Sequence, residues 1–298
     1  MFTLRQMRFL VALAEHLNFS RAAEICFVTQ PTLSAGIKEL EGLLGVALFE
    51  RTKRSVLLTP VGAEIAARAR KLLLDADEIA TLAEAHRNPF QGDLRLGAIP
   101  TIGPFLIPAA MPEIRKALPE IRLFLREEMT EDLIEGLNTG RLDIILIALP
   151  FETGTLHIAP LFEDGYHLAA PSDWPAPRGP GGEALARAKG QLMLLEKGHC
   201  LQRHALAAYP GMIKPGEMED FAATSLATLI AMVSEGLGIT LLPDLAVQAG
   251  VGGDGSVQLS PLPDACPRQV VLAWRPGSAR TKVFERLASL LQQRRANH

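Results

Sequence analysis

The chain has 298 residues, of which 48% are hydrophobic and 21% charged, enough for more than one domain with a real apolar core. No uncharged apolar run approaches the ~18 residues of a transmembrane helix, and three widely spaced cysteines without a CxxC pair argue against a disulfide framework or a zinc site. The formal net charge of −3 averages over unlike regions: residues 51–71 hold six Lys or Arg against the single acid Glu64.

The N-terminal stretch MFTLRQMRFLVALAEH lacks the long apolar block and cleavage site of a signal peptide, so a cytoplasmic location is expected, with no membrane partner. Leu4, Met7, Val11 and Ala14 recur at helical spacing. Asn18 offers a cap for a second helix over about 20–27, whose small Ala22 and Ala23 allow close crossing. VTQPTLSAGIKELEGLLG starts a third helix, with Pro31 in its first turn, Gly45 as its stop and Leu33, Ile37, Leu40, Leu43 and Leu44 as its apolar stripe. FERTKRSVLLT reads as two short strands around a basic turn.

Two short helices, a tight turn and a third helix make a helix-turn-helix. Thr29, Gln30, Pro31, Thr32, Ser34 and Lys38 lie at or near the N-terminal end of the third helix, where short or amide-bearing side chains reach base edges and phosphates. Arg51, Lys53 and Arg54 sit on the turn that follows, a wing suited to backbone phosphates. The bland alternative is a plain helical subdomain with a solvated polar face. The polar face, the small pair and the basic wing within sixty residues outweigh it.

Thr59-Pro60 opens a long helix to about Glu84, with Ile65, Leu72, Ile79 and Leu82 on one stripe, and HRNPFQG breaks it. After Gly92 the texture changes. DLRLGAI, IRLFLRE, DIILIAL and YHLAAPS read as strands with helical segments between, which predicts an α/β domain with a mostly parallel sheet. TKVFERLASLLQQRR closes the chain as an amphipathic helix.

FSRAAE, TQPTLS, IKELE, LGVALFER and LTPVG together resemble the N-terminal domain of LysR-type transcriptional regulators, without a gap. The resemblance implies an α+β winged helix-turn-helix at 1–59 and a long linker and dimerisation helix at 60–88. A two-lobed α/β effector domain of periplasmic-binding-protein type would follow at 92–298. Its lobe I would span about 92–162 and 267–298, and lobe II about 163–266, joined by crossings near 160–164 and 262–268. A ligand would sit between the lobes. The implied partners are double-stranded DNA, a second copy through the linker helix, a homotetramer, and RNA polymerase. No metal and no cofactor are implied.

LGAIPTIGPFLIP, LREEMT, LMLLEKGHCL, ATSLATL and AWRPGS resemble the hydrogen-peroxide-sensing OxyR branch of that family. The resemblance makes Cys200 the reactive cysteine and His199 its pocket neighbour. Thr101, in IPTIGP, and Thr130, in EEMT, would bind peroxide or water, with Arg268, in CPRQVVLAWRPGS, beside them. The chemistry suits these residue types. A thiolate attacks peroxide, donors stabilise the departing hydroxide, and the first product is a sulfenic acid.

One position departs from the branch. Nine residues after Cys200, where the branch has a second cysteine, stands Tyr209, which cannot form a disulfide. Four readings stay open. Cys200 acts alone, or pairs with a small thiol, or pairs with Cys266, Cys26 or another subunit. In the fourth, it senses nothing and the cleft takes a small organic effector, with Phe105, Met129 and Leu133 as apolar lining. Composition alone would make Cys200 a small buried hydrophobe, Cys26 in EICFV a core residue and Cys266 a loop residue. An enzyme such as a thiol peroxidase is the least favoured reading, because it must recycle its oxidised cysteine and would leave the helix-turn-helix unused.

Overall fold

A computed structural model describes residues 1–51, 56–87, 90–174, 192–195, 203, 208, 222–223 and 225–296. The chain divides into two compact units, Met1–Arg87 and Asn88–His298.

The first unit holds α1 (Leu4–His16), α2 (Phe19–Ile25), α3 (Gln30–Leu44), β1 (Phe49–Arg51), β2 (Val56–Leu58) and α4 (Pro60–Arg87). Local chemistry sets its boundaries. Thr3 and Gln6 form a capping box at the start of α1, and the Asn18 side chain accepts from Arg21 N (3.0 Å) at the start of α2. Gly45 ends α3 in the left-handed region, φ +72°. Ala22 and Ala23 are buried and let α2 pack closely, while Leu33, Ile37 and Leu40 point α3 into the same core. Leu43, expected on that stripe, is half exposed, because 3.6-residue periodicity carries it past the buried arc.

The wing is fastened to the linker helix by Thr59. Its hydroxyl donates to Ala47 O (2.9 Å) and accepts from Gly62 N (2.9 Å), which caps α4. Gly62 is pressed against the wing: a Cβ there would sit 2.2 Å from Leu48 O.

The second unit has two cores. The first surrounds a five-stranded sheet ordered β4-β3-β5-β12-β6, formed by β3 (Gly92–Ala98), β4 (Ile121–Glu127), β5 (Ile144–Leu149), β6 (His157–Asp164) and β12 (Arg268–Trp274). Helices α5 (Gly103–Ala117), α6 (Thr130–Asn138) and the C-terminal α9 (Thr281–Ala296) pack on it. The second core surrounds a sheet ordered β10-β7-β11, from β7 (Tyr166–Pro171), β10 (Thr240–Pro243) and β11 (Val257–Pro261). It also includes the short parallel pair β8 (Leu194–Leu195) and β9 (Ala222–Ala223), with α7 (Leu226–Ser234) and α8 (Asp244–Gln248).

The sheets are mixed rather than mostly parallel. β3 runs parallel to β4 and β5, but β12 is antiparallel to both β5 and β6, and β7 is antiparallel to β10 and β11. The cause is topological. Within the first sheet β3, β4 and β5 are joined by helical crossovers, whereas the chain passes from one sheet to the other after β6 and returns as β12 against the strand it left by. The passage occurs at Gly165, between β6 and β7, and the return runs through 262–267, between β11 and β12.

Gly62→Ala is expected to destabilise the first unit by about 1–3 kcal/mol, because a backbone oxygen cannot yield to the new methyl. Thermal denaturation of the full chain followed through this unit checks it, and an unchanged transition would contradict the Thr59–Gly62 junction.

Candidate functional site

Parallel β3 and β4 end side by side, and each feeds a helix. β3 leads through Thr101 into α5, and β4 leads through Met129 into α6, whose first residue is Thr130. Both threonines therefore lie at helix N-termini beside the carboxyl ends of neighbouring strands, where open α/β sheets bind ligands. Thr101 is 2% exposed and Thr130 fully buried.

Arg268 enters from the other side of the sheet order. It is the first residue of β12 and is paired in register with Asp164, the last residue of β6. Both side chains are completely buried. Arg268 Nε and Nη2 donate to Asp164 Oδ2 at 3.0 and 2.8 Å, and Asp164 Oδ1 accepts from Leu245 N at 2.9 Å. Arg268 Nη1 donates to Thr101 Oγ1 at 2.9 Å and Nη2 to Thr101 O at 3.0 Å. One guanidinium thus holds the Thr101 backbone, the Thr101 hydroxyl and the last residue before the passage at Gly165.

This geometry assigns a polarity to Thr101. Its oxygen accepts from Arg268, so its own proton is the one that remains to donate. A hydroxyl donor at a helix N-terminus, backed by a buried cation, is suited to an oxygen that gains negative charge.

Two residues beyond Asp164, the Tyr166 hydroxyl is buried with no hydrogen-bond partner among the described residues. Burial pushes its pKa well above the ordinary phenol value, so it stays protonated. Neither Asp164 nor Tyr166 was expected from sequence. The signal available was only an acid at the predicted crossing, and nothing in its neighbours marks an acid for complete burial.

The other expected residues divide as follows. His199 and Cys200 lie outside the described residues, as does Tyr209. Arg203, three positions after Cys200, is described: its guanidinium lies 4.6 Å from the centre of the Phe151 ring and 3.8 Å from Glu131 Oε1. Glu131 is the residue after Thr130, so the Arg203 side chain lies beside the first turn of α6. Phe105 is half-buried and packs against both cores. Met129 is half-buried. Leu133, expected as cleft lining, is instead fully buried in the first core, where a Cβ on Gly97 would meet it at 2.5 Å; tight β3–α6 packing claims it.

In the first unit, Thr29, Gln30, Pro31, Thr32 and Lys38 are exposed at and along α3, and Ser34 is half-buried. Thr29 and Thr32 pair their hydroxyls (2.8 Å), and Ser20 Oγ donates to Gln30 Oε1 (3.1 Å), which orients the side chains at the helix start. Arg51 closes β1; Lys53 and Arg54 lie outside the described residues. Cys26, expected in the core, is only half-buried at the end of α2, and burial pushes its thiol pKa up despite the nearby Arg8. Among the described residues no group of His, Cys, Asp and Glu is arranged to hold a metal ion, and no helix is long and apolar enough to cross a membrane.

Comparison with known proteins matches residues 4–63 to the bacterial regulatory helix-turn-helix proteins of the lysR family and residues 87–296 to the LysR substrate binding domain. The chain belongs to the LysR family of transcriptional regulators. The DNA-binding transcriptional dual regulator OxyR of Escherichia coli K12 is 38% identical over 297 residues, 99% of this chain and 96% of that one. The HTH-type transcriptional regulator EstR of Acinetobacter baylyi is 44% identical over 249 residues, 82% of this chain and 81% of that one. A full-length OxyR variant from Pseudomonas aeruginosa superposes with a TM-score of 0.79 at 39% identity, covering 98% of this chain and 95% of that one. An H2O2-bound OxyR mutant from Corynebacterium glutamicum does so with a TM-score of 0.67 at 29% identity, covering 100% and 94%. This LysR-type regulator is therefore OxyR-like along its whole length, and regulators of this kind bind DNA and form oligomers.

Removing the guanidinium would strand a buried carboxylate. Arg268→Ala is expected to cost the second unit about 3–5 kcal/mol. Equilibrium urea unfolding measures it, and a loss below about 1 kcal/mol would show that the Asp164 pair is not the joint described.

Proposed function

We propose that this regulator senses hydrogen peroxide through Cys200 and changes its contacts with promoter DNA in response. The observation that carries the proposal is the Thr101 hydroxyl, polarised by buried Arg268, with Thr130 buried at the end of the neighbouring strand and Arg203 beside Glu131 at that helix start. Relatives named hydrogen peroxide-inducible genes activators and the H2O2-bound neighbour support it.

In this reading the Cys200 thiolate attacks one peroxide oxygen, the O–O bond breaks, and hydroxide departs with a proton from the pocket or solvent. Thr101, Thr130 and His199 would orient the peroxide, and Arg268 would act through Thr101 rather than on the peroxide itself. Donors at the departing oxygen lower the barrier because its charge develops there.

Thr29, Gln30, Pro31, Thr32, Ser34 and Lys38 would meet base edges and phosphates of double-stranded DNA, and Arg51, Lys53 and Arg54 the flanking backbone. Leu72 and Ile79 are exposed on α4, which supports a dimer through that helix. A homotetramer, contact with RNA polymerase and a cytoplasmic location complete the reading.

A second reading is favoured by two observations: the relative EstR, whose name carries no mention of peroxide, and Phe105, which presents an aromatic ring to both cores. There the interlobe cleft takes a small organic effector and Cys200 is a bystander.

Footprinting on the regulator's own promoter, reduced and peroxide-treated, separates the two. Peroxide is expected to change the wild-type footprint and leave Cys200→Ser in its reduced pattern. Identical footprints in both states, with an organic ligand co-purifying and Cys200 unmodified, would overturn the peroxide reading.

A further inference from the structure

The face of the first sheet that carries α6 is covered at one end only. β3 and β4 pair in parallel with Asp93 opposite Arg122, Arg95 opposite Phe124 and Gly97 opposite Arg126, so strand alternation puts all six on one face. At the carboxyl end Gly97 receives the helix: a Cβ there would meet Leu133 at 2.5 Å and Leu142 at 2.6 Å. α6 is nine residues long, and the chain turns back at 139–143. Asp143 fastens that turn beside Arg95, accepting from Arg95 N on Oδ2 (2.8 Å) and donating from its own N to Arg95 O (2.9 Å). Between the turn and the open amino-terminal part of the face lies a cavity of about 390 Å³, lined by Asp93, Arg95, Phe124, Arg126, Arg141 and Leu142. Pockets for small molecules occupy roughly 300–1,000 Å³.

The charges around it are unevenly satisfied. Asp93 accepts from Arg122 Nε (2.7 Å) and lies 2.6 Å from Arg122 Nη2. Glu128 takes Arg141 on Oε2 (2.7 Å) and has Arg126 at 3.6 Å. The hydrogen bond from Arg141 holds the Glu128 carboxyl below its ordinary pKa, so it stays charged. Asp143 has the Arg95 amide. Each of these carboxylates already has a donor. Arg95 does not have the converse: among the described residues its guanidinium makes no ion pair, and Nη1 donates to Gly140 O at 3.5 Å, the long limit of a hydrogen bond. Directly across from it, the Phe124 ring is half exposed. A guanidinium with donors unspent and a bare aromatic ring therefore share one cavity.

We propose that this cavity binds a small organic oxyanion, its carboxylate or phosphate head on Arg95 and its apolar body on Phe124. The planar guanidinium fork matches either head group with paired donors, and Arg126 and Arg141 add positive charge at the rim. The ring gives the rest of the ligand an apolar surface to cover. The site is separate from Thr101 and Arg268, and it does not depend on what Cys200 senses. It is nevertheless connected to the same helix. Arg141 Nη2 donates to Asp132 O (3.0 Å) in the first turn of α6, the helix that Thr130 begins. Arg275, just after β12, donates to Leu137 O (2.6 Å) and Leu142 O (3.1 Å) at its other end. A ligand that draws on Arg141 would bear on α6 from outside the sheet.

The test is isothermal titration calorimetry of the full-length protein with phenyl phosphate and phenylacetate, against inorganic phosphate and benzyl alcohol. Arg95 and Phe124 are exposed, so Arg95→Gln and Phe124→Ala are expected to keep the wild-type unfolding transition. The expected result is saturable binding of at least one aryl anion, at least tenfold tighter than either control and weakened at least tenfold in each variant. Which aryl anion binds separates a phosphate from a carboxylate ligand. Absence of saturable binding by both aryl anions would overturn the proposal. Equal affinity for phenyl phosphate and inorganic phosphate, indifferent to Phe124→Ala, would overturn it as a bare charge effect. Binding kept in Arg95→Gln but lost in Thr101→Val would overturn it by placing the ligand at Thr101.

Discussion

The buried ion pair between Arg268 and Asp164 is the contact on which the second unit's architecture turns. It closes the two strands, β6 and β12, that lead out of and back into the first core. Two fully buried charges are costly unless every donor and acceptor is satisfied. Here the carboxylate takes Arg268 on one oxygen and the Leu245 amide on the other, and the guanidinium gives two further bonds to Thr101. Hydrophobic side chains of similar volume could join the strands, but they could not orient a hydroxyl. The same group that joins β6 to β12 therefore sets the polarity of the Thr101 hydroxyl.

This coupling links binding to shape. Leu245 is the second residue of α8 with its side chain buried in the first core, Asp164 ends β6, and Thr101 precedes α5. A change at Thr101 reaches the passage at Gly165 through one side chain. A sensor of either chemistry, oxidant or organic effector, needs such a path if events at Thr101 are to alter how a separate unit of the chain is used.

Much of this was legible in the sequence. The helix-turn-helix followed from caps and small residues, and Asn18, Pro31, Gly45 and Thr59 mark the element ends that the structure has. The α/β character followed from alternating strand and helix patterns. The mixed strand directions did not, because β12 pairs with strands over a hundred residues earlier and local periodicity carries no information about direction. Leu43 was misplaced by one arc of helix and Leu133 by treating a residue near the cleft as lining. Asp164 was silent because the partner that makes its burial tolerable, Arg268, lies 104 residues away. Thr101, Thr130 and Arg268 came from resemblance alone; the structure adds that a single guanidinium binds both the hydroxyl and the carbonyl of Thr101.

The proposed peroxide sensing rests on the Thr101 hydroxyl acting as a donor under Arg268's control. Its most direct test is the second-order rate of Cys200 oxidation by hydrogen peroxide, followed by stopped flow or sulfenic-acid trapping, in wild type and Thr101→Val. Valine keeps the shape and removes both the donor and the acceptor that Arg268 Nη1 uses, so the Asp164 pair must be shown intact by an unchanged unfolding transition. A rate at least tenfold lower is expected in Thr101→Val with the fold intact; an unchanged rate would contradict the donor role of Thr101.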